Sequence, residues 1–202
     1  DPAMVTGVRD TGGRVSLAIY DCKKPVIGAI NGAAVGIGAT MTLAMDIRMA
    51  STKARIGFVF GKIGVTPEAC STWFLPRIVG MQTALEWVYS GDILTAEEVK
   101  EAGLVRSIHE PEDLLPAAQA LAEKFINNRS PVAITLSRQM MYRNSAQPSP
   151  RDAHQVDSLS MFYSSLGDGK EGVASFLEKR DPEFASKASE MPGFYPWWQE
   201  DA

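Results

Sequence analysis

Residues 64–71 read GVTPEACS and place a carboxylate, Glu68, two positions before a thiol, Cys70. A carboxylate held beside a reacting atom can take a proton and return it. The same Glu can also be a charge that starts a helix. Thr66 suits an N-cap and Pro67 the first helical position. A Glu in the first turn then meets the positive end of the helix dipole, worth about 0.3–1 kcal/mol. Both readings stand on spacing alone. Cys70 reads as a small buried residue, because a nucleophilic thiol needs a base and neither His109 nor His154 is near it in sequence. A second place for chemistry is NGAAVGIGATMT, where Gly32, Gly36 and Gly38 fall between an apolar run and a small-residue run. Backbone N–H groups at a strand-to-helix turn favour negative charge, either a phosphate or a carbonyl oxygen that becomes an oxyanion. The dinucleotide spacing GxGxxG is not met and no GK[ST] follows, so oxyanion stabilisation is the chemistry left. The alternative is that these glycines only let a helix pack closely on a sheet.

The elements that must position these groups follow from the local patterns. RVSLAIYDC (14–22) reads as the end of a helix and PVIGAIN (25–31) as a buried strand. NG is a turn, and AAVGIGATMTLAM reads as a helix to Met45. DIRMAS (46–51) is the next strand, with ARIGFVF (54–60) as a further one, and Asp46 ends the helix or caps the strand. The helix opened by Thr66 and Pro67 runs through ACSTWFLPRIVG, broken near Pro76 and closed at Gly80. MQTALEWVYSG is a helix ending at Gly91. In TAEEVKEAGL, Thr95 and Glu98 form a capping box and Gly103 ends the helix. LVRSIHE (104–110) is a short strand or extended exit, and segments 113–128, 131–143, 151–166 and 170–180 are helical. The expected layout is an α/β part over 1–110 and a helical region over 111–202. The aromatic end, MPGFYPWWQE, either packs back or covers another subunit; Trp197 and Trp198 read as packing residues.

Composition narrows the function. With 202 residues, 45% of them hydrophobic, the chain can bury one core with a small appendage. Its net charge is −4 and Lys and Arg form no stripe, which argues against nucleic acid. Two cysteines give no disulfide framework and fit a reducing, cytoplasmic setting. His109 and His154 are far apart, with no HxxH or HExxH, so no metal site is expected. The opening DPAMVTGVRD does not read as a signal peptide. Pro25–Met45 carries no charge over 21 residues, long enough to span a bilayer, with small residues at Gly28, Gly32 and Gly36. Asn31, Thr40, Thr42 and four glycines argue instead for strand, turn and helix, and for no membrane partner.

Four stretches together resemble the crotonase superfamily, the enoyl-CoA hydratases and isomerases: KPVIGAINGAAVGIGATMTLAMDIRMAS, ARIGFVFGKIGVTPEACSTWFLPRIVG, SGDILTAEEVKEAGLV and EGVASFLEKR. They fall in the family's order over roughly residues 15–180. The resemblance implies an α/β crotonase (ClpP-like) fold of repeated ββα units, followed by helices that mediate trimer packing, with trimers pairing into hexamers. It implies an acyl-CoA thioester as substrate and no cofactor beyond that coenzyme A. The thioester oxygen would lie between two backbone N–H groups, one of them matching Ile37. The other lies in the family on an earlier segment rich in Ala, Ser and Gly, and no such segment precedes residue 15. The N-terminal part of the fold, with much of the CoA-binding surface, is therefore expected to be missing from this chain.

The resemblance has informative departures. Thr40 and Phe60 stand where the family's hydratases carry two glutamates, and neither can take a proton. TPEACS is similar to the PEG[CG]S stretch of the Δ3,Δ2-enoyl-CoA isomerases, in which one Glu moves a proton from C2 to C4. On that match Glu68 is the base, with Ala69 where Gly is common, and Phe60, Trp73 and Phe74 form an apolar acyl wall that would raise its pKa. Lys179 and Arg180 either approach the CoA phosphates or form a solvated helix end. The expected activity is double-bond isomerisation, with enoyl-CoA hydration or a non-catalytic CoA-binding scaffold as alternatives.

Overall fold

The computed structural model describes residues 4–198; residues 1–3 and 199–202, the last holding the end of the aromatic run, lie outside the described residues. Two short helices come first, α1 (Met4–Gly7) and α2 (Thr11–Tyr20). They are followed by β1 (Ile27–Ile30), β2 (Ala33–Val35), α3 (Ile37–Thr40) and a 3₁₀ turn, Met41–Ala44. Next come β3 (Ile47–Ser51), β4 (Arg55–Gly57), a 3₁₀ segment Val59–Ile63, α4 (Ser71–Val79) and α5 (Met81–Ser90). The rest is β5 (Ile93–Thr95), α6 (Ala96–Glu101), β6 (Ser107–His109), α7 (Pro111–Ile126), α8 (Pro131–Asn144), α9 (Pro150–Leu166) and α10 (Asp168–Glu178). The described chain forms two compact units. One runs to Cys22 and from Val26 to Leu121; the other takes Lys23–Pro25 and continues from Ala122. Among the described residues no strand follows Pro111, while the units divide within α7.

The first unit repeats one device. β1, β2 and α3 follow one another, then β3, β4 and α4 do the same. The leading strands join one parallel sheet in the order β1-β3-β6, with Ile27 opposite Ile47 and Ala50 opposite Ile108. The second strands join another sheet, β2-β4-β5, in which β2 and β4 are parallel and β5 runs antiparallel. This is the ββα repeat expected of the fold. Phe58, Leu43, Ile56, Leu75 and Leu104 are almost wholly buried, and Phe58 stacks on Trp87 with centroids 6.0 Å apart. The buried Arg48 of β3 is matched by carbonyls. Its guanidinium donates to Met45 (2.6 Å), Leu104 (2.8 Å), Thr42 and Leu43. A cation thus sits on the C-terminal carbonyls of the turn that starts with α3, where the helix dipole favours it. Asp46 accepts from the Val26 N–H (2.7 Å) and so secures the entry to β1.

Several local expectations change. Ala33–Val35 is a strand paired with Arg55–Gly57, not the start of a helix; sheet pairing overrides the helix preference of a small-residue run. Helix begins only at Ile37, after Gly36 turns the chain at φ +59°. Pro25–Met45 is accordingly divided among strands and short turns, and among the described residues no helix is long and apolar enough to cross a membrane. Pro76 lies inside α4 without ending it. The expected helix start at Thr66 and Pro67 is absent: α4 begins at Ser71, behind a left-handed Cys70. β5 had no counterpart among the expected strands.

The second unit is helical. Ser130 caps α8 by accepting from the Ala133 N–H (3.1 Å), and the Thr135 hydroxyl donates to the Lys23 carbonyl (2.7 Å). The aromatic end packs back within this unit: Phe194 lies 5.2 Å from Tyr163, and the Arg143 guanidinium lies 4.0 Å over Trp198.

Candidate active site

Three short pieces of chain meet around Glu68. The first is the glycine turn. Gly36 takes a positive φ that favours glycine, and its carbonyl accepts from the Ala39 and Thr40 N–H groups, both at 2.9 Å. Gly36 has no side chain to cap α3. The first N–H groups of the helix, on Ile37 and Gly38, therefore receive no capping side chain from Gly36. Ile37 is 45% exposed. The fourth residue, Thr40, is fully buried.

The second piece carries Glu68. It precedes α4, so Glu68 is not in that helix's first turn, and the helix-start role does not hold. Its Oε1 instead accepts from the Thr40 hydroxyl at 2.6 Å. The two residues after it, Ala69 (φ +57°) and Cys70 (φ +58°), are both left-handed, a costly backbone for side chains with a Cβ. The turn is pinned at both ends. The Ser71 N–H and hydroxyl donate to the Glu68 carbonyl at 3.0 and 2.6 Å, and the Ala69 N–H donates to Asp10 Oδ2 at 3.1 Å.

The third piece is the start of α2. Asp10 caps it by accepting from the Gly13 N–H. Gly12, buried in the first turn, is where the three pieces converge. A Cβ there would stand 1.9 Å from Glu68 Oε2, 2.7 Å from the Ile37 side chain and 3.2 Å from the Ala69 methyl. Glu68, Ile37 and Thr40 are thus neighbours although they come from different elements. The arrangement sets a carboxylate beside a helix-start turn that offers N–H groups, a layout that can move a proton next to a carbonyl whose oxygen gains charge.

Phe60 and Phe74 are buried in the core, and Trp73 packs on it. Tyr20 meets Trp73 and Phe74 edge-on, each at 5.8 Å, and the Arg77 guanidinium covers Trp73 at 3.9 Å. Phe60 belongs to the 3₁₀ segment ahead of the Glu68 turn, and Trp73 and Phe74 to the helix after it. Burial pushes the Cys70 thiol above its usual range, and the charges of Asp10 and Glu68 push it further, which keeps it protonated. His109 shares a hydrogen bond with Ser107 (2.8 Å) on β6, and His154 pairs with Ser158 on α9. Arg180 grips Glu171 and Glu178, each at 2.6 Å, and Lys179 closes α10 with φ +56°. Among the described residues, no group of three or more His, Cys, Asp or Glu could hold a metal ion. Asp10 and Gly12 were not among the residues read as functional from the sequence. Asp10 before TGG is visible as an N-cap, but its bond to Ala69 spans 59 positions and leaves no local signal.

Known proteins share this architecture. A model of the enoyl-CoA hydratase/isomerase family matches residues 4–187. The chain is 41% identical over 188 residues to the enoyl-CoA hydratase AFT3-1 of Alternaria alternata, covering 92% of this chain and 62% of that protein. It is 37% identical over 168 residues to the 1,2-epoxyphenylacetyl-CoA isomerase of Escherichia coli (strain K12), covering 81% and 62%. The crystal structure of an enoyl-CoA hydratase from Bacillus anthracis superposes with a TM-score of 0.82 at 29% identity, covering 87% of this chain and 68% of that one. The chain thus spans 62% of the length of the curated relatives it matches first. Sequence, ββα repeat and glycine turn agree: the chain belongs to the enoyl-CoA hydratase/isomerase family.

Proposed function

We propose that this chain carries the catalytic part of an acyl-CoA enzyme that shifts a C3 double bond to C2 with Glu68 as its base. The supporting observation is the placement of Glu68: its Oε1 is held by Thr40 and its Oε2 faces Gly12 beside the Ile37 turn. The two positions where the family's hydratases carry glutamates hold Thr40 and Phe60, which leaves Glu68 to work as a single carboxylate. Asp10 Oδ2 accepts from two backbone N–H groups, Gly13 and Ala69.

The substrate's thioester oxygen would accept from the Ile37 N–H. Glu68 takes the C2 proton, and the electron pair spreads over C2, C4 and the thioester oxygen as a dienolate. The N–H at Ile37 stabilises that oxygen more strongly once it is charged than before, which lowers the barrier. Glu68 then returns the proton to C4. The proton is moved and not consumed, so one carboxylate suffices and no metal or organic cofactor is required beyond the coenzyme A of the substrate. Thr40 keeps the carboxylate in place through both steps. Trp73, Phe74 and Phe60 are proposed to back the acyl side of the site.

A second reading is addition of water to a 2-enoyl-CoA, favoured by the hydratase names of relatives such as the Alternaria and Bacillus proteins. It requires Glu68 to activate a water alone. The product separates the two. Given a 3-enoyl-CoA, an isomerase yields the conjugated 2-enoyl thioester, seen as rising ultraviolet absorbance. Given a 2-enoyl-CoA, a hydratase yields the 3-hydroxyacyl thioester by mass spectrometry. Formation of the hydroxyacyl product with no isomerisation would overturn the first reading.

Self-association of the helical unit into trimers or hexamers is part of the same proposal. Its support is the apolar row on α10, where Val173, Phe176 and Leu177 are exposed at spacings of three and four residues.

A further inference from the structure

The N-terminus of α2 does more at the Glu68 turn than a helix cap requires. One oxygen of Asp10, Oδ2, accepts from the Gly13 N–H and also from the Ala69 N–H at 3.1 Å. The first bond is an ordinary N-cap. The second reaches the peptide immediately after Glu68, on a residue that is fully buried and left-handed. A buried N–H without an acceptor is costly, so this bond helps to hold Ala69 in its strained conformation. The bonded peptide also carries the Glu68 carbonyl, which accepts from Ser71, so the two bonds fix its plane and with it the backbone from which the Glu68 side chain leaves.

The neighbouring Gly12 completes the seat, because any side chain there would collide with Glu68 Oε2. Three restraints therefore define the carboxylate. Thr40 holds Oε1, Gly12 leaves room for Oε2, and Asp10 anchors the backbone behind it. We propose that Asp10 is a positioning residue that holds Glu68 in its reactive orientation through the Ala69 peptide. The proposal rests on the reading of Glu68 as the base.

The test separates capping from positioning. Asp10→Ser keeps a good N-cap for α2, but its shorter side chain cannot also reach the Ala69 N–H. Asp10→Asn keeps a carbonyl oxygen at the same reach and can accept both bonds without the charge. Steady-state kinetics of the full-length protein would be measured with a 3-enoyl-CoA and with a 2-enoyl-CoA; turnover of neither by the wild type removes the reading of Glu68 as the base and the positioning role with it. Circular dichroism and thermal melting would run on each variant, with Glu68→Gln alongside. The expected result is a kcat about 10- to 100-fold lower in Asp10→Ser, since small displacements of a reacting group cost that much. KM should stay within about two-fold, and most of the lost kcat should return in Asp10→Asn. A wild-type kcat in Asp10→Ser overturns the proposal, as does an Asp10→Asn variant as slow as Asp10→Ser. Wild-type turnover in Glu68→Gln removes the reading of Glu68 itself, and the positioning role with it. Loss there together with a normal Asp10→Ser removes the positioning role alone.

Discussion

Thr40 donates its hydroxyl hydrogen bond to Glu68 Oε1 at 2.6 Å, joining the helix of the glycine turn to a carboxylate 28 positions later. The hydroxyl has a second acceptor, the Gly36 carbonyl, at 3.3 Å. Thr40 therefore links the backbone of the turn to the Glu68 side chain. Replacing it by Val keeps the shape and removes the bond. We expect Thr40→Val to lower kcat by roughly 10-fold, the kinetic equivalent of one lost hydrogen bond to a charged group. Steady-state rates, with the fold verified by circular dichroism, check this.

Gly12 gives a test in which activity and stability part company. Alanine is the better helix former, and the α2 backbone accommodates it. The methyl would nevertheless enter the space of Glu68 Oε2 and the Ile37 side chain. Gly12→Ala is expected to change stability by less than about 1 kcal/mol and to lower kcat by at least about 10-fold. Denaturant unfolding and turnover on the same preparation decide it.

Arg48 secures the 3₁₀ turn that follows α3 by donating to the carbonyls of Thr42, Leu43 and Met45, and ties it to Leu104. Arg48→Met would leave several buried carbonyls without their donor. The expected cost is about 3 kcal/mol or more, read as a shift in the urea midpoint. An unchanged midpoint would mean that other donors replace the guanidinium.

The helical unit carries a pH signature. Hydrogen bonds from Arg180 and the Glu183 N–H hold the Glu171 carboxyl at about 2, below its ordinary value. A depressed folded value contributes stability above the unfolded value, and the contribution is lost as pH falls toward about 2. A carboxyl titration followed by NMR should show Glu171 titrating well below an ordinary glutamate. In Arg180→Gln it should move back up.

The parts of the fold that depend on neighbours in sequence were legible. Thr95 and Glu98 form the capping box, and Gly91 and Gly103 end their helices with positive φ. The strands at Ile27–Ile30 and Ile47–Ser51 follow their apolar runs, and the four helices from Pro111 onward stand where their patterns placed them. What could not be read depends on distant partners. Ala33–Val35 has helix-forming residues but becomes a strand because Arg55–Gly57 lies beside it. TPEACS has the residues of a helix start, yet the chain turns through two left-handed residues and begins α4 at Ser71. The Asp10 bond to Ala69 and the Thr40 bond to Glu68 leave no trace in local pattern. The resemblance to the family identified Glu68 and Ile37 as candidates, but only the structure brings them together at Gly12.

Glu68 is proposed to carry the proton between C2 and C4. The most direct measurement is the rate at which Glu68→Gln converts a 3-enoyl-CoA to the conjugated 2-enoyl thioester, compared with the wild type by ultraviolet absorbance. Gln keeps an acceptor for the Thr40 hydroxyl and cannot take the proton. The expected kcat is lower by about 100- to 10 000-fold, the usual contribution of a positioned base, in a variant that still melts cooperatively. Equal rates in the two proteins would contradict it and leave Glu68 as a structural carboxylate.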